Sequence, residues 1–544
     1  MKTDQKIRVV LLIDSLHAPA WVYRSIEQIK LLEGVRICGV LVCPAVIEKQ
    51  VSKVIHHKLG ELQSRLFDGD IGGPDYREKR DLTNLLGGDL VRSIGSTNSP
   101  GWANKMVAAL RQVKADVVIK YTDDELPEVV LSGLKYGIWD HLFNAGAAHR
   151  RGYEGLWETL LSQPEVGSSL QISHRDFPRQ ALLRSFSCAH EASVYGTNNP
   201  NYWKSSSFAS RALKRLMQRG GDAFFEGLAS QPNQANSISQ HNIDCPGAMQ
   251  YAYLLAKKTA CKLAKKFKYK RYFEQWLLYY SFKPDARLDS SNLIQMLPPK
   301  EVFWADPHIV VENERYYIFI EELPFATDKG YLSVIEMSQN GHYGSPVKIL
   351  ERDYHLSYPN VFQHEGQYYM IPETYDNGTI ELYRCTRFPD QWEFVMNLMQ
   401  GVRAVDTTLY YADDKWWLFA NIQENPGASP HDELFLFYTE SGDFQTTDWV
   451  AHPLNPVVSD VKNARPAGKI YEENGKVYRP AQNCSHHYGY AMNINEITCL
   501  NTEEYKEQIV KSIEPVWDKN VIATHTYAKA EKLTVLDGIF LRKK

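Results

Sequence analysis

The sequence predicts a multi-domain protein that joins an α/β class to an all-β class. A doubly wound, Rossmann-type domain is expected over residues 1–190 and a five-bladed β-propeller over residues 276–544, joined by a linker and basic helical segment over residues 191–275. Three observations predict this organisation: strand and helix patterns alternate near the N-terminus, the composition changes near residue 190, and a repeat fills the C-terminal half. A length of 544 residues is enough for two or three domains.

Composition excludes several functional classes. Hydrophobic residues make up 44% and charged residues 23% of the chain, which is typical of a globular protein. The formal charge of -4 gives no basic field that would favour nucleic acid. The eight cysteines show no Cys-x-x-Cys pair, so no metal site is expected. No apolar run is long enough to span a membrane and no signal-peptide pattern is present, so a cytoplasmic location is the default expectation.

The N-terminal domain is predicted from alternating strand and helix patterns. Residues 7–13 (IRVVLLI) form a continuous apolar run, the next segment carries apolar residues at helical spacing, and VRICGVLVC follows as a second buried strand. The same order repeats as far as YGIWDHLF at residues 136–143. Strand, helix and strand in this order predict a parallel, doubly wound sheet.

The middle segment has two parts. An Asn-, Gln- and Ser-rich stretch at residues 231–242 predicts a flexible linker. The lysine-rich segment 257–271 predicts a helix with a basic face. This helix is either a solvated surface helix or a peripheral contact with the inner face of an anionic membrane.

The propeller is predicted from five similar segments, which begin at residues 305, 357, 405, 465 and 524. Each has a polar or proline start, an apolar strand, a polar turn and a second strand that usually opens with an aromatic pair. The period of roughly 50 to 60 residues is the length of a four-stranded propeller blade. Five repeats therefore predict five blades.

Polar residues stand at the start of every repeat: Asp306, Tyr358, Asp406, Arg465 and His525. Since the inner strands of a propeller surround its axis, these side chains are expected to converge at one end of that axis. Carboxylates, a guanidinium and an imidazole together indicate a polar binding pocket. The alternative is that Asp306 only accepts a hydrogen bond from a backbone amide at a turn.

Two families share these motifs. ADPHIVVENERYYIFIEE resembles the first blade of the five-bladed arabinanase and xylosidase propellers, in which the Asp before Pro is the general base. The region 276–544 is similar to the propeller domain of the glucosamine inositolphosphorylceramide transferases and their bacterial homologues from polysaccharide gene clusters. That similarity is carried by FWADP, YPNVF, IPET, VDTTL, RPAQNCSHHYGY and THTY.

The converging blade starts and these resemblances together give a set of candidate site residues. Asp306, Asp406 and Glu373 are the expected catalytic residues, with Glu321 or Glu322 as further candidate acids. The expected substrate-binding residues are Tyr358, Arg465, Arg479, Gln482, Tyr488 and His525. Glycoside hydrolysis needs two carboxyl groups on opposite sides of the scissile bond, and Tyr358 stands where the hydrolases place an aspartate, so sugar transfer or sugar binding is favoured.

The two arginines of this set allow two interpretations. Arg465 and Arg479 could grip the phosphate of a nucleotide-sugar, since a guanidinium bonds two oxygens at once. The alternative is that they form ion pairs with Asp306 or Asp406 across the channel.

The N-terminal segment that follows Tyr136 resembles the formyltransferase family, in which an Asn-x-His pair precedes an Arg-Gly loop and an aspartate follows. Arg151 matches the loop, but Asp140 stands in the asparagine place and Leu142 in the histidine place, while Asp176 is the candidate aspartate. Leucine can neither move a proton nor stabilise an oxyanion. Either a strand bulge brings the adjacent His141 to the site, or the domain has lost formyl transfer.

The sequence thus predicts a transferase of cell-surface polysaccharide or glycan biosynthesis whose propeller binds a sugar, a nucleotide-sugar or a glycan. One alternative is an N-formyltransferase that acts on an amino-sugar nucleotide, with a folate derivative as cofactor only if the N-terminal domain is active. The other alternative is a non-catalytic glycan-binding scaffold.

Overall fold

The computed structural model describes residues 6–44, 51–69, 72–97, 99–143, 154–229, 247–283 and 292–544. The chain divides into two compact units. Unit 1 comprises Met1–Thr259 with Asn425–Ser429, and unit 2 comprises Ala260–Glu424 with Pro430–Lys544. The predicted domain limits at residues 190 and 276 stay predictions. Among the described residues, no helix combines the length and the apolar character that crossing a membrane requires.

Unit 1 is a mixed α/β structure, as predicted. Its strands are β1 (Ile7–Ile13), β2 (His17–Pro19), β3 (Val35–Val42), β4 (Lys79–Asp81), β5 (Val91–Ser93), β6 (Val117–Lys120), β7 (Ile138–Phe143), β8 (Glu165–Ser173) and β9 (Gln180–Cys188). Its helices are α1 (Ala20–Lys30), α2 (Val51–Phe67), α3 (Thr83–Leu86), α4 (Trp102–Val113), α5 (Leu156–Leu160), α6 (Val194–Ser205), α7 (Phe208–Arg219), α8 (Gly221–Ala229) and α9 (Ala248–Tyr269), the last of which continues into unit 2.

A seven-stranded sheet in the order β5-β3-β1-β6-β7-β8-β9 forms the centre of unit 1. The first five strands of this order pair in parallel. β8 is antiparallel to β7, and β9 is antiparallel to β8. Alternate residues of β1 enter opposite cores: Val9 and Leu11 pack on the face covered by α1 and α7, and Val10 and Leu12 on the face covered by α4. Because both faces are buried, β1 is apolar from Val9 to Ile13, as is usual for a central parallel strand.

Part of the segment predicted as a linker is ordered. Residues 194–229 form α6, α7 and α8, and Phe208, Leu213 and Leu216 of α7 belong to the core of unit 1. The lysine-rich segment is helical up to Tyr269, within α9. The Asn-, Gln- and Ser-rich stretch at residues 231–242 lies outside the described residues.

Unit 2 contains the strands of five sheets, which we call blades 1 to 5. They are β10 (Tyr272–Ser281), β11 (Ile294–Met296), β12 (Val302–Glu312), β13 (Arg315–Pro324), β14 (Tyr331–Ser338), β15 (Val347–Leu350), β16 (Ser357–His364), β17 (Gln367–Glu373), β18 (Thr379–Arg387), β19 (Gln391–Gln400), β20 (Ala404–Ala412), β21 (Lys415–Ile422), β22 (Leu434–Tyr438), β23 (Val450–Ala451), β24 (Tyr471–Glu473), β25 (Lys476–Asn483), β26 (Ala491–Leu500), β27 (Tyr505–Ile513), β28 (Val521–Ala523), β29 (Tyr527–Ala530) and β30 (Leu533–Lys543). Blades 1 to 4 are β12–β15, β16–β19, β20–β23 and β24–β27, and blade 5 combines β10 and β11 with β28, β29 and β30.

Hydrophobic packing closes the five blades into a ring. Each of five core clusters takes residues from two neighbouring blades, and together they join blades 1 and 2, 2 and 3, 3 and 4, 4 and 5, and 5 and 1. In blade 5, β10 pairs with β30 along its whole length, from Tyr272 with Lys543 to Ser281 with Thr534. The prediction of a five-bladed β-propeller is therefore confirmed.

Candidate functional site

The inner strands of blades 1, 2 and 3 are interrupted at the same point. Their pairing registers shift at Asp306, Tyr358 and Asp406, and these residues have left-handed backbones with φ of 53°, 42° and 52°. Such a conformation in a residue other than glycine costs of order 1–3 kcal/mol and persists where its surroundings enforce it. A bulge at this place redirects the side chain out of the alternating strand pattern.

The redirected side chains bond to other blades. Asp306 accepts hydrogen bonds from the Tyr358 amide of blade 2 at 3.1 Å and from the Thr526 hydroxyl of blade 5 at 2.8 Å. The Tyr358 hydroxyl lies 2.8 Å from Thr408 Oγ1 of blade 3 and accepts a hydrogen bond from the Gly468 amide at 2.9 Å. We call this convergent set the axial cluster: Asp306, Tyr358, Glu373, Asp406, Arg465, Gln482, Tyr488 and His525, with His431 and Asp537.

Asp306 is a buried carboxyl at an unusual pKa. It is 4% exposed, and burial, together with the charges of Glu321, Asp406 and Asp537, raises its pKa to about 7 despite the opposing charge of His525. Asp306 accepts a hydrogen bond from a backbone amide, but this amide belongs to Tyr358 of the next blade and not to the turn that contains Asp306. A carboxyl that titrates near neutrality can accept or donate a proton under ordinary conditions.

Arg465 holds two carboxyl groups together. Its Nε and one terminal nitrogen donate to Asp406 at 2.5 and 3.2 Å, and the same terminal nitrogen donates to Glu373 at 3.4 Å. Gln482 also donates to Asp406, at 2.7 Å. Burial and the charge of Asp406 raise the pKa of Glu373 well above its ordinary value, although Arg465 opposes this shift. Arg465 is therefore ion-paired with the cluster, and the carboxyl group of Glu373 binds a proton more tightly than an exposed glutamate does.

Two aromatic side chains lie against Arg465. The Tyr488 ring lies 4.9 Å from the Arg465 guanidinium carbon and stacks on His431 with 5.1 Å between ring centres. Nδ1 of His431 accepts a hydrogen bond from Arg465 at 2.8 Å, and burial lowers the pKa of His431 well below its ordinary value. Tyr488 is 40% exposed, whereas the Glu373 and Arg465 side chains are 12% and 8% exposed. Tyr488 is thus the most exposed of these three residues.

His525 and Asp537 complete the blade 5 side of the cluster. Nδ1 of His525 lies 2.6 Å from Asp537 Oδ2, and Nε2 lies 3.5 Å from Asp306 Oδ1. Burial alone would lower the pKa of His525, but the charges of Asp537 and Asp306 outweigh it and raise the pKa to about 9. The ring stacks on Trp276 at 4.1 Å between ring centres.

Asp306, His525 and Asp537 could each offer one ligand atom to a metal ion, and these atoms lie within 4.8 Å of one another. The hydrogen-bond donors around these three residues do not favour a bound metal ion. Asp537 already accepts the amides of Asp306, His525 and Thr526, and Asp306 accepts an amide and a hydroxyl. A protonated His525 also supplies the positive charge, so we interpret the three residues as an ion-paired group.

Arg479 is not brought into the axial cluster. Its guanidinium donates to both oxygens of Glu507, at 2.8 and 2.7 Å, and to the carbonyls of Asn463 and Ala464. It lies three positions before Gln482 on β25, so the two side chains leave opposite faces of the strand. Arg479 therefore joins the inner and outer strands of blade 4.

Two residues of the axial cluster were not predicted from the sequence. Asp537 lies in β30, the second strand of the fifth repeat segment. His431 lies between strands, directly after the loop that contains Asn425–Ser429. His431 carries no signal in the sequence beyond its residue type, whereas Asp537 stands in the second strand of its repeat segment, as Glu373 does in β17.

The residues predicted for an N-terminal site do not form one cluster. Asp140 accepts a hydrogen bond from Arg179 at 2.7 Å and lies 3.2 Å from Nζ of Lys120. The pairing of β7 with β6 and β8 has no register shift. His141 therefore leaves the opposite face of the strand from Asp140 and Leu142, because no bulge redirects it.

His141 packs among aromatic rings. The centre of its ring lies 5.3 Å from that of Trp21 and 5.1 Å from that of Tyr121, and burial lowers its pKa to about 4. Arg151 lies outside the described residues.

Asp176 lies in the turn between β8 and β9, with a side chain that is 62% exposed and contacts Arg175. Since Ser173 at the end of β8 pairs with Ile138 at the start of β7, this turn lies beyond the amino end of β7. Asp176 is thus not brought to His141. The formyltransferase resemblance stays a prediction.

Comparisons with known proteins point to the propeller. Residues 292–532, less than half of the chain, match the family model "Glucosamine inositolphosphorylceramide transferase 1, N-terminal". Curated relatives with the name glucosamine inositolphosphorylceramide transferase 1 include one from Oryza sativa subsp. japonica, 34% identical, and one from Arabidopsis thaliana, 30% identical, each over 208 residues. Each match covers 38% of this chain and 27% of the relative, so the matched region spans about a quarter of these relatives' length.

The solved structures that resemble this chain have lower sequence identity to it than the curated relatives have. A family 117 glycoside hydrolase from Zobellia galactanivorans is 12% identical with a TM-score of 0.33, and the match covers 50% of this chain and 91% of that one. CoXyl43, a β-xylosidase/α-arabinofuranosidase from a compost metagenome, is 16% identical with a TM-score of 0.35, and the match covers 46% of this chain and 93% of that one. Similarity at this level carries no functional inference.

Proposed function

We propose that the protein is a transferase of glycan biosynthesis that binds the sugar of its substrate at the axial cluster. The observation that carries the proposal is the contact of Glu373, Asp406 and Arg465, from three different blades, behind an exposed Tyr488 ring. The region that matches the transferase family model includes all of these residues, and the curated relatives carry the name of a transferase for a glucosamine. A nucleotide-sugar is the donor class that we favour.

The cluster has the groups that recognition of a sugar needs. Carboxyl and amide groups bond sugar hydroxyls, and an exposed aromatic ring such as that of Tyr488 offers an apolar face with a polar tip. Burial of these polar groups strengthens each hydrogen bond, because the surrounding dielectric is low. Arg465 donates to Asp406, Glu373 and His431, so it fixes the positions of these groups around a bound sugar.

The two carboxyl groups with raised pKa values have different roles in the proposal. Asp306 accepts the proton of the attacking acceptor hydroxyl, since its pKa of about 7 leaves much of it ionised at neutral pH. Glu373 has a pKa raised well above its ordinary value, so we assign it to donate a hydrogen bond or a proton to the departing group. Asp406 keeps Arg465 and Gln482 in place.

Transfer is favoured over hydrolysis because of Tyr358. This residue occupies the bulge of blade 2, and burial raises the pKa of its hydroxyl above its ordinary value. Its hydroxyl is already bonded to Thr408 and to the Gly468 amide. Tyr358 can therefore not replace the second carboxylate that activates water in an inverting glycosidase.

The test combines binding and turnover. Calorimetric titration with a panel of nucleotide-sugars that includes UDP-N-acetylglucosamine and UDP-glucose identifies the donor, and product formation with lipid-linked and free sugar acceptors follows. We expect Glu373→Gln and Asp306→Asn to lower kcat by about a hundredfold or more while each variant still folds, as cooperative unfolding curves would show. Glu393→Gln, an exposed carboxyl on the outer strand of the same blade as Glu373, is the matched control.

Three outcomes separate the alternatives. Equal turnover by wild type and Asp306→Asn removes Asp306 from the chemistry. Sugar binding without turnover for any donor and acceptor supports the glycan-binding scaffold. Absence of binding by the wild type at millimolar concentrations of every sugar tested contradicts the proposed function as a whole.

A further inference from the structure

Helix α9 has one face that is fixed against unit 1. Tyr251 and Leu255 are 1% and 4% exposed and pack with Leu156 and Leu160. The Tyr251 hydroxyl also donates a hydrogen bond to Gln63 at 2.6 Å. These contacts fix the rotation of the helix about its axis, and they therefore determine which residues face away.

The opposite face carries a continuous apolar stripe. Met249, Tyr253, Leu263 and Phe267 are 88%, 67%, 53% and 65% exposed, and the exposed Ala256 and Ala260 lie between them. These six residues are spaced alternately by four and three positions, which places them on one side of an α-helix. The stripe extends for about 27 Å at 1.5 Å per residue. Exposure of so many large apolar side chains in a row marks an interaction surface.

Basic residues flank this stripe. Residues 248–273 contain seven lysines and one arginine and no acidic residue, in a chain whose formal charge is -4. At 100° per residue, Lys257 and Lys268 lie along one edge of the stripe and Lys266 lies beyond the other. All three are exposed. The surface therefore combines an apolar line with a strong local positive charge.

We propose that α9 lies on an anionic lipid surface, with the apolar stripe at the level of the acyl boundary and the lysines among the headgroups. An apolar stripe flanked by lysines is the pattern of a helix that lies in the interface plane. Long lysine side chains can reach the headgroups while their stems cover apolar surface. The charge selects this occupant over a second copy of the chain, because two copies of the same basic surface would repel each other.

Vesicle flotation with the full chain tests the proposal. We expect binding to phosphatidylcholine vesicles that contain 30% phosphatidylserine, weak binding to pure phosphatidylcholine, and release by high salt. The double variant L263Q/F267Q is expected to lower the partition coefficient at least tenfold. The double variant K266Q/K268Q is expected to lower it about fivefold for each lysine.

Matched controls use exposed residues elsewhere. V347Q/V516Q removes two exposed apolar side chains, one in β15 of blade 1 and one in the connection between β27 and β28, and K511Q/K519Q removes two exposed lysines, both outside α9. Both controls are expected to bind vesicles as the wild type does. Thermal unfolding curves of all variants check that the fold is retained.

Several results overturn the proposal. Equal binding to neutral and anionic vesicles excludes charge selection, and unchanged binding of L263Q/F267Q excludes the stripe. Sedimentation equilibrium provides an independent readout. A wild-type dimer that dissociates in L263Q/F267Q, without vesicle binding, assigns the stripe to a second copy of the chain. All of these outcomes are independent of sugar binding by the axial cluster.

Discussion

The buried ion-paired group of blade 5 makes the stability of unit 2 depend on pH. The pKa of His525 is raised from 6.5 to about 9 by Asp537 and Asp306, against the effect of burial. Because the folded protein holds this proton more tightly than the unfolded chain, the contribution to stability is fully present below about pH 6.5 and is lost as the pH rises through 9. The raised pKa of Asp306, about 7, acts in the same direction but mainly at lower pH.

The size of this effect follows from linkage. Between about pH 7 and pH 9, a shift of the folded pKa from 6.5 to about 9 removes about 2 kcal/mol from the free energy of unfolding. Urea unfolding followed by tryptophan fluorescence measures it. The transition that belongs to unit 2 is identified with Gly468→Ala, because a Cβ at Gly468 would lie 2.1 Å from the Tyr527 carbonyl oxygen.

His525→Gln is the decisive variant. It is expected to be less stable than the wild type at pH 7, because Asp306 and Asp537 lose their counter-charge, and to show a flatter pH dependence up to pH 9. His342→Gln, at an exposed position in blade 1, is the control and keeps the wild-type slope. A wild-type stability that is constant between pH 7 and pH 9, or the same slope in His525→Gln, would refute the assignment of the charge to His525.

Further predictions concern the other buried groups. Arg479→Met is expected to lower the free energy of unfolding by about 3 kcal/mol or more, because it leaves Glu507 buried without its partner, but to keep sugar affinity; loss of affinity in the folded variant would place Arg479 in the site. Tyr358→Phe is expected to cost about 1–3 kcal/mol in unfolding assays, since the Gly468 amide loses its acceptor, whereas a large fall in kcat would assign it a chemical role. Asp306→Ala is expected to be less stable than Asp306→Asn in the same assay, because asparagine tolerates the left-handed backbone better; equal stabilities would show that the backbone there is not under strain. A reduced folate at millimolar concentration is expected not to bind, because Leu142 offers no polar group and Asp140 is paired with Lys120 and Arg179; calorimetric binding would restore the formyltransferase alternative.

The repeat allowed the blade starts to be aligned from the sequence, and the structure brings these five positions together. The alignment works because bulges at Asp306, Tyr358 and Asp406 recur at one register position. It could not separate Arg479 from Gln482, because strand direction alone does not say which face of β25 lies towards the axis. Asp537 lies in the second strand of the fifth repeat segment, but its hydrogen bond from the Asp306 amide joins residues 231 positions apart, and this contact could not be predicted from the sequence.

In the N-terminal unit, too, part of the structure could be predicted from the sequence and part could not. Alternating apolar patterns were sufficient to predict the buried parallel strands, because period and burial follow directly from residue type. They could not show whether β7 contains a bulge at His141. That question depends on pairing with β6 and β8, which is regular through this stretch.

The pairing of β10 with β30 has a consequence for biosynthesis. On the ribosome β10 emerges before every other strand of unit 2, whereas its partner emerges after the strands of blades 1 to 4. An apolar strand edge is therefore left unpaired while most of the propeller is made, and such edges invite association with other chains. His525 and Asp537 arrive with the same late strands, so Asp306 obtains its charged neighbours only when the ring closes. A chain interrupted before β30 would therefore lack both the closed ring and the electrostatic environment of Asp306.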